Sequence, residues 1–197
     1  EKIYSDYPDL INVIGSRGKE KRLTTSIFNQ LPIFSDKKIN DNYVQILGLI
    51  DNNLVFKWID RKYLDNQINF EKFKIIVPKS NGTGAIGEVL STPLIGEPLI
   101  GYTQSFISIF SLDNEKYAVA AMKYIKSKFA RTLLGTLKIT QDNNKETWGN
   151  VPMQDFSERS DIDWSKSIHE IDLQLYKKYK LNDEEIQFIE SKVQSME

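Results

Sequence analysis

Three glycines at the spacing of a nucleotide-binding loop follow an apolar run that is typical of a strand. They are Gly82, Gly84 and Gly87, in the stretch KIIVPKSNGTGAIGEVL. A dinucleotide loop presents the pyrophosphate to the free amides and the dipole of a helix that follows the glycines directly. Here Pro93 leaves room for barely one helical turn after Gly87, and no acidic residue ends a second strand at about 20 residues' distance. A Walker A loop is excluded too, because the lysine and serine precede the glycines.

Two functions for this loop remain open. Lys79, Ser80, Asn81 and Thr83 lie at one lip of it, and a lysine with short polar side chains can contact phosphates or base edges. Alternatively, the loop is a wide hairpin whose glycines only supply positive φ angles.

Few residues are candidates for catalysis or metal binding. The chain has no cysteine, which excludes disulfides, thiolate zinc sites and cysteine nucleophiles. It has one histidine, His169. Pro8-Asp9 and Asp36-Lys37-Lys38 match letters of a PD-(D/E)xK nuclease, but both segments are typical of turns. Asp161 and Asp163 lack the spaced glycine of a calcium loop and are expected to interact with a helix dipole. We therefore expect no catalytic and no metal site in this chain.

The charge is unevenly distributed along the sequence, although the net charge is only −1. Residues 155–197 hold 11 acidic and 6 basic residues. The stretch 116–145 holds seven basic residues and one acidic residue, Asp142. Such a stretch can attract a polyanion, or it can be the solvated face of a lysine-rich helix.

The elements that must position these residues are indicated by hydrophobic periodicity. Strands are predicted at 42–50, 53–59, 73–79 and 103–110, and Asp51-Asn52 between the first two indicates an antiparallel hairpin. One helix is predicted over 115–134, with Lys116, Lys123 and Arg131 away from its apolar face.

The end of the chain has the signals of a helical hairpin. Ser167 with Glu170, and Asn182 with Glu185, form capping boxes that predict two helix starts, and Leu181 with Ile186 can form a hydrophobic staple. A polar junction near 156–160 divides the chain into predicted segments 1–156 and 157–197. The fold class predicted is α+β, with a curved, mainly antiparallel sheet, packed helices and the C-terminal helical hairpin.

The segment LKITQDNNKETWGN, residues 137–150, is dense in side chains that hydrogen-bond base edges and phosphates. It contains Trp148. Either this residue is exposed for a nucleic-acid contact, or the segment is a polar hairpin whose Trp148 packs into the protein core.

Four long stretches resemble the C-terminal part of bacterial adenine-specific restriction–modification methyltransferases of type II/IIG. The stretches span nearly the whole chain and are YPDLINVIGSRGKEKRL, VPKSNGTGAIGEVLSTPLIGEPLIGYTQSFISI, YIKSKFARTLLGTLKITQDNNKETWGNVPMQDF and SDIDWSKSIHEIDLQLYKKYKLNDEEIQFIE. In that family this region is the target-recognition, or specificity, domain, similar to that of TaqI-like methyltransferases and of type I specificity subunits.

The resemblance implies a DNA-binding role without catalysis. The Asn-Pro-Pro-Tyr/Phe motif of the methyltransferase domain is absent. S-adenosylmethionine, and magnesium if a nuclease domain exists, are therefore expected to act in the parent restriction enzyme. The expected partners are double-stranded DNA and the methyltransferase domain of the same polypeptide. No apolar stretch approaches the roughly 20 residues that cross a bilayer, and we expect a cytoplasmic location.

The residues expected to contact DNA are basic or polar and lie in three loops. They are Arg17, Lys19, Lys21, Arg22, Lys79, Ser80, Asn81, Thr83, Gln141, Asn143, Asn144 and Lys145. The alternative function is a protein–protein interaction module that docks through the C-terminal helical hairpin.

Overall fold

The computed structural model describes residues 2–13, 22–65, 69–80, 86–137 and 145–196. Its strands are β1 (Tyr43–Ile50), β2 (Asn53–Asp60), β3 (Phe73–Pro78), β4 (Leu94–Gly96), β5 (Ile100–Tyr102) and β6 (Phe106–Leu112). Its α-helices are α1 (Lys2–Asp6), α2 (Ile27–Gln30), α3 (Glu115–Lys126), α4 (Lys128–Leu137), α5 (Lys145–Gly149), α6 (Ile168–Lys178) and α7 (Asp183–Lys192). Short 3-10 turns lie at Pro8–Asn12 and Arg61–Tyr63. None of these described helices is long and apolar enough to span a bilayer.

The chain forms two compact units, of which the first comprises residues 1–72 and 96–106. Its sheet has the order β2-β1-β5, with β1 and β2 antiparallel and β5 parallel to β1. The predicted β1–β2 hairpin is confirmed. Its two turn residues, Asp51 and Asn52, both have positive φ, which matches the right-handed twist of the strands they connect. Val44, Ile46 and Ile59 face the core of this unit.

The second unit comprises residues 73–95 and 107–197. Its sheet has the order β4-β3-β6, and α3 packs on β3. An aromatic cluster closes one part of the core: the ring of Phe156 lies 5.2 Å from those of Phe110 and Trp164. Phe156 was assigned to a patternless junction, but it is a core residue with 6% of its surface exposed.

The helix predicted over 115–134 is in fact two helices, which is a correction to the sequence interpretation. Ser127 has extended backbone angles (φ −58°, ψ 147°) and separates α3 from α4. Its hydroxyl accepts a hydrogen bond from the Ala130 N–H at 3.1 Å. The carboxylate of Asp172, on α6, accepts from the N–H groups of Lys128 at 3.0 Å and Phe129 at 2.9 Å. Side chains therefore satisfy the free amides at the start of α4, which makes the break stable.

Arg131 was predicted on the solvent face of that helix, and this prediction is wrong. Only 2% of its surface is exposed. Its guanidinium donates to the carbonyl of Lys126 at 3.0 Å, to those of Gly87 and Glu88 at 3.2 and 3.3 Å, and to that of Gln194. A buried guanidinium is tolerated because its donors find acceptors, and here it joins three separate segments of the second unit.

The C-terminal hairpin has the caps that its sequence predicts. Both capping boxes are formed in full at the starts of α6 and α7. Leu181 and Ile186, the predicted staple pair, both pack against the core. At the end of α6, Lys180 has a positive φ of 56° and the N–H of Leu181 bonds the carbonyl of Tyr176 at 3.0 Å, which is a Schellman ending.

The α+β class and the helical hairpin are confirmed, while the strands form two small sheets instead of one. The hairpin contacts α3 and α4 within the second unit. The boundary predicted between residues 156 and 157 therefore does not coincide with a division between the two units.

Candidate nucleic-acid interface

Lys79 and Ser80 follow the end of β3, the most deeply buried strand of the second unit. Residues 74–77 of this strand are all buried, whereas Lys79 and Ser80 are exposed. A rigid core strand thus holds both side chains at the surface, next to the glycine-rich segment. This is the kind of support that a positioned binding side chain needs.

Arg22 is the other predicted contact residue whose side chain the structure describes. It is exposed, and it precedes Leu23, whose carbonyl accepts a hydrogen bond from the Gln104 N–H at 2.8 Å. Arg22 belongs to the first unit, and Lys79 and Ser80 belong to the second.

The side chains of the other predicted DNA contacts lie outside the part of the chain that the structure describes. Eight lie outside the described residues: Arg17, Lys19, Lys21, Asn81, Thr83, Gln141, Asn143 and Asn144. Lys145 is the first residue of α5, where the structure describes the backbone alone.

The basic stretch 116–145 is largely engaged within the protein. Lys116 pairs with Glu158 at 2.8 Å, and this hydrogen bond raises the pKa of Lys116. Lys123 donates to three backbone carbonyls, of residues 164–166, at 2.7–3.3 Å. Lys128 pairs with Glu190 at 2.6 Å. Two of these lysines are therefore paired with carboxylates, and Lys123 and the buried Arg131 are held by backbone carbonyls, so these four side chains already have partners within the protein.

Gly87, the third glycine of the nucleotide-like spacing, has a structural role. It has a φ of +80°, and a Cβ atom there would lie 2.8 Å from the Val193 side chain. Its carbonyl accepts one of the hydrogen bonds of Arg131. A turn and then β4 follow it, and the next helix begins at Glu115. The helix N-terminus that a dinucleotide loop requires is therefore missing from this position.

The aspartates considered for catalysis or metal binding contact other residues of the protein. Asp36 pairs with Lys57, and Asp161 pairs with Lys178 at 2.7 Å. Asp163 accepts hydrogen bonds from the backbone N–H and the hydroxyl of Ser165. Asp161 thus forms an ion pair with Lys178, and Asp163 stabilises a turn with Ser165, while the interaction with a helix dipole stays a prediction. Within the described part of the chain, no three His, Cys, Asp or Glu residues cluster at metal-binding distance.

Trp148 lies in the core. Of the two alternatives for this residue, exposure or packing, the structure therefore supports packing. It is 8% exposed and belongs to the core cluster of the second unit. A stacking contact between this indole and a base would require the residue to leave the core.

Two charged residues, Asp172 and Arg131, are buried in the core, which the sequence interpretation missed. A signal was present for Asp172, because it falls among Ile171, Leu175 and Tyr176 on the apolar stripe of α6. A charged residue inside an apolar stripe indicates a buried polar partner.

Comparison of the chain with protein-family models, with curated proteins and with solved structures finds no match.

Proposed function

We propose that this chain is a sequence-specific DNA-recognition domain that positions duplex DNA for adenine methylation by a methyltransferase partner domain. The observation that carries the proposal is the position of Lys79 and Ser80, which are exposed at the end of a buried strand, because phosphate and base contacts need side chains in fixed positions. The resemblance of four long stretches of the sequence to restriction–modification specificity domains supplies the hypothesis.

In this proposal the chain reads DNA and the chemistry belongs to its partners. Lys79, Lys145 and the basic residues of 17–22 contact phosphates. The side chains that contact base edges or the groove are Ser80, Asn81, Thr83, Gln141, Asn143 and Asn144. The methyltransferase domain supplies S-adenosylmethionine, and any cleavage requires a nuclease domain with magnesium. The expected setting is the bacterial cytoplasm.

Selection from randomised duplex DNA at low and moderate salt tests the proposal. The expected result is enrichment of one short motif, with affinity that falls steeply as salt is raised. Salt-sensitive binding without a motif would reduce the role of the chain to holding phosphates. The absence of binding at low salt would contradict the proposal for the chain alone.

A matched pair of charge reversals makes the test specific. Lys79→Glu is expected to weaken binding and to lower the salt slope by about one counterion. Lys116→Glu is the control, since it makes the same charge change at an exposed lysine that pairs with Glu158. Equal effects of the two substitutions would mean that binding reports total charge and not a contact at Lys79.

A second candidate function, docking of a protein through the helical hairpin, is favoured by an open apolar groove between α4 and α7. The two functions separate experimentally: Lys79→Glu should leave docking intact, and Phe188→Asp should leave DNA binding intact.

A further inference from the structure

An apolar groove of about 430 Å³ lies between α4 and α7 in the second unit. Its walls include Phe129, Leu133, Leu181 and Ile189. Phe188 stands at the edge of the groove with 47% of its surface exposed. Because the burial of such a ring is favourable, the groove and the exposed phenylalanine together form a surface that gains stability when it is covered.

The exposed face of α7 carries opposite charges on the two sides of Phe188. Glu184 lies four residues before it and Lys192 four residues after it, and all three side chains are exposed. Residues four apart share one face of a helix, so the acid, the aromatic ring and the base form one stripe. Glu185 is engaged elsewhere, because its carboxylate accepts the Asn182 N–H at 2.8 Å.

Such a stripe is complementary to itself. When two α7 helices lie antiparallel across a twofold axis at Phe188, Glu184 of each copy faces Lys192 of the other. The ion pair forms twice, and the edge of the groove at Phe188 faces the same edge of the opposite copy. A protein of different sequence would have to supply an acid and a base eight residues apart, whereas a second copy has them already.

We propose that the α4–α7 groove is a self-association surface, covered by a second copy of this chain in an isologous dimer. Closed twofold dimers are the commonest symmetric assemblies. One exposed helix face and a groove form a small interface, below about 1,200 Å², so the dimer is weak and concentration-dependent. The proposal does not depend on DNA binding and is tested without DNA.

Sedimentation velocity of the intact chain, from low micromolar to near-millimolar concentration and at low salt, measures the association. The expected result is a concentration-dependent dimer. Phe188→Asp should be monomeric throughout, and Glu184→Lys or Lys192→Glu should each weaken the dimer at least about tenfold, because each creates two like-charge contacts.

The double variant Glu184→Lys with Lys192→Glu restores the opposite-charge contacts and should recover most of the association. Leu173→Asp is the control: Leu173 is exposed on α6 and lies outside the groove lining, so the dimer should persist. Thermal unfolding of each variant checks that the fold is retained.

A chain that stays monomeric at every concentration overturns the proposal and leaves the groove to a partner of different sequence. A dimer that survives Phe188→Asp, or two charge reversals that do not rescue each other, also overturns it.

Discussion

The helices of the second unit begin in two different ways. Both helices of the C-terminal hairpin begin at capping boxes, in which Ser167 pairs with Glu170 and Asn182 with Glu185, all at the surface. Helix α4 also has a local acceptor, the Ser127 hydroxyl, but its first two amides bond a buried carboxylate, that of Asp172, which is more than forty residues away in the sequence. A local cap can form as soon as its own turn forms, whereas a distant cap requires the tertiary structure.

The energetic consequence is a difference in what each cap stabilises. A capping box satisfies amides that water could otherwise reach, so its loss costs only the difference between two solvated states. Asp172 satisfies amides in the interior, and its loss leaves buried donors without acceptors. The same hydrogen-bond geometry therefore has unequal importance in the two regions.

Asp172→Ala is expected to have the largest effect. It removes the acceptors of the Lys128 and Phe129 amides and a carboxylate near the buried Arg131. We expect a loss of about 3 kcal/mol in the free energy of unfolding, measured by denaturant titration. Asp183→Ala, in the exposed first turn of α7, is the control and should cost at most about 0.5 kcal/mol. Similar costs for the two would remove the distinction between interior and surface caps.

Ser167→Ala is expected to have an intermediate effect. It removes the hydroxyl that accepts the Glu170 N–H at 3.2 Å, and the loss should be about 1 kcal/mol. Asn182→Ala removes the equivalent acceptor of α7 and should cost about the same. The same denaturant titration measures both. A cost for either as large as that of Asp172→Ala would contradict the local nature of these caps.

The smallest expected effect is a difference in pH dependence between two neighbouring carboxyl groups. Hydrogen bonds from the Ser167 hydroxyl and amide lower the pKa of Glu170, while burial raises the pKa of Asp172 more than its two amide donors lower it. The contribution of Glu170 to stability is present above its unfolded pKa and is lost as the pH falls through its folded pKa. The contribution of Asp172 has the opposite sign: it is present below its unfolded pKa and is lost as the pH rises through its folded pKa.

Carboxyl-carbon NMR titration measures both groups in one experiment. The pKa of Glu170 should lie below, and that of Asp172 above, the ordinary value of its residue type. Glu170→Gln and Asp172→Asn should each abolish one of the two stability trends. Shifts in the same direction would mean that burial does not distinguish the two caps.

Hydrophobic periodicity and turn chemistry predicted most of the elements that depend on interactions between residues close together in the sequence. The β1–β2 hairpin follows from Asp51-Asn52, because this pair accepts positive φ between two apolar runs. The break at Ser127 was missed because the apolar period continues across it, and a serine is compatible with a helix interior as well as with a cap.

The candidate site likewise has features that neighbouring residues set and features that only the folded chain sets. Lys79 and Ser80 were correctly expected at the surface beside the glycine segment, because they follow an apolar strand. The sequence overstated how many basic side chains of residues 116–145 are available to an external partner, because a count of charges does not show which of them have partners within the protein. Lys123 bonds carbonyls of residues 164–166, and Lys128 pairs with Glu190, contacts that only the folded chain creates.

The sequence by itself determined the α+β class, the β1–β2 turn and the two capped helices of the hairpin, because each depends on residues within a few positions of one another. The tertiary structure alone decided that the strands form two sheets, that Arg131 and Trp148 are buried, and that Asp172 bonds the first amides of α4. These features depend on groups far apart in the sequence, which meet only when burial of apolar surface brings their segments together.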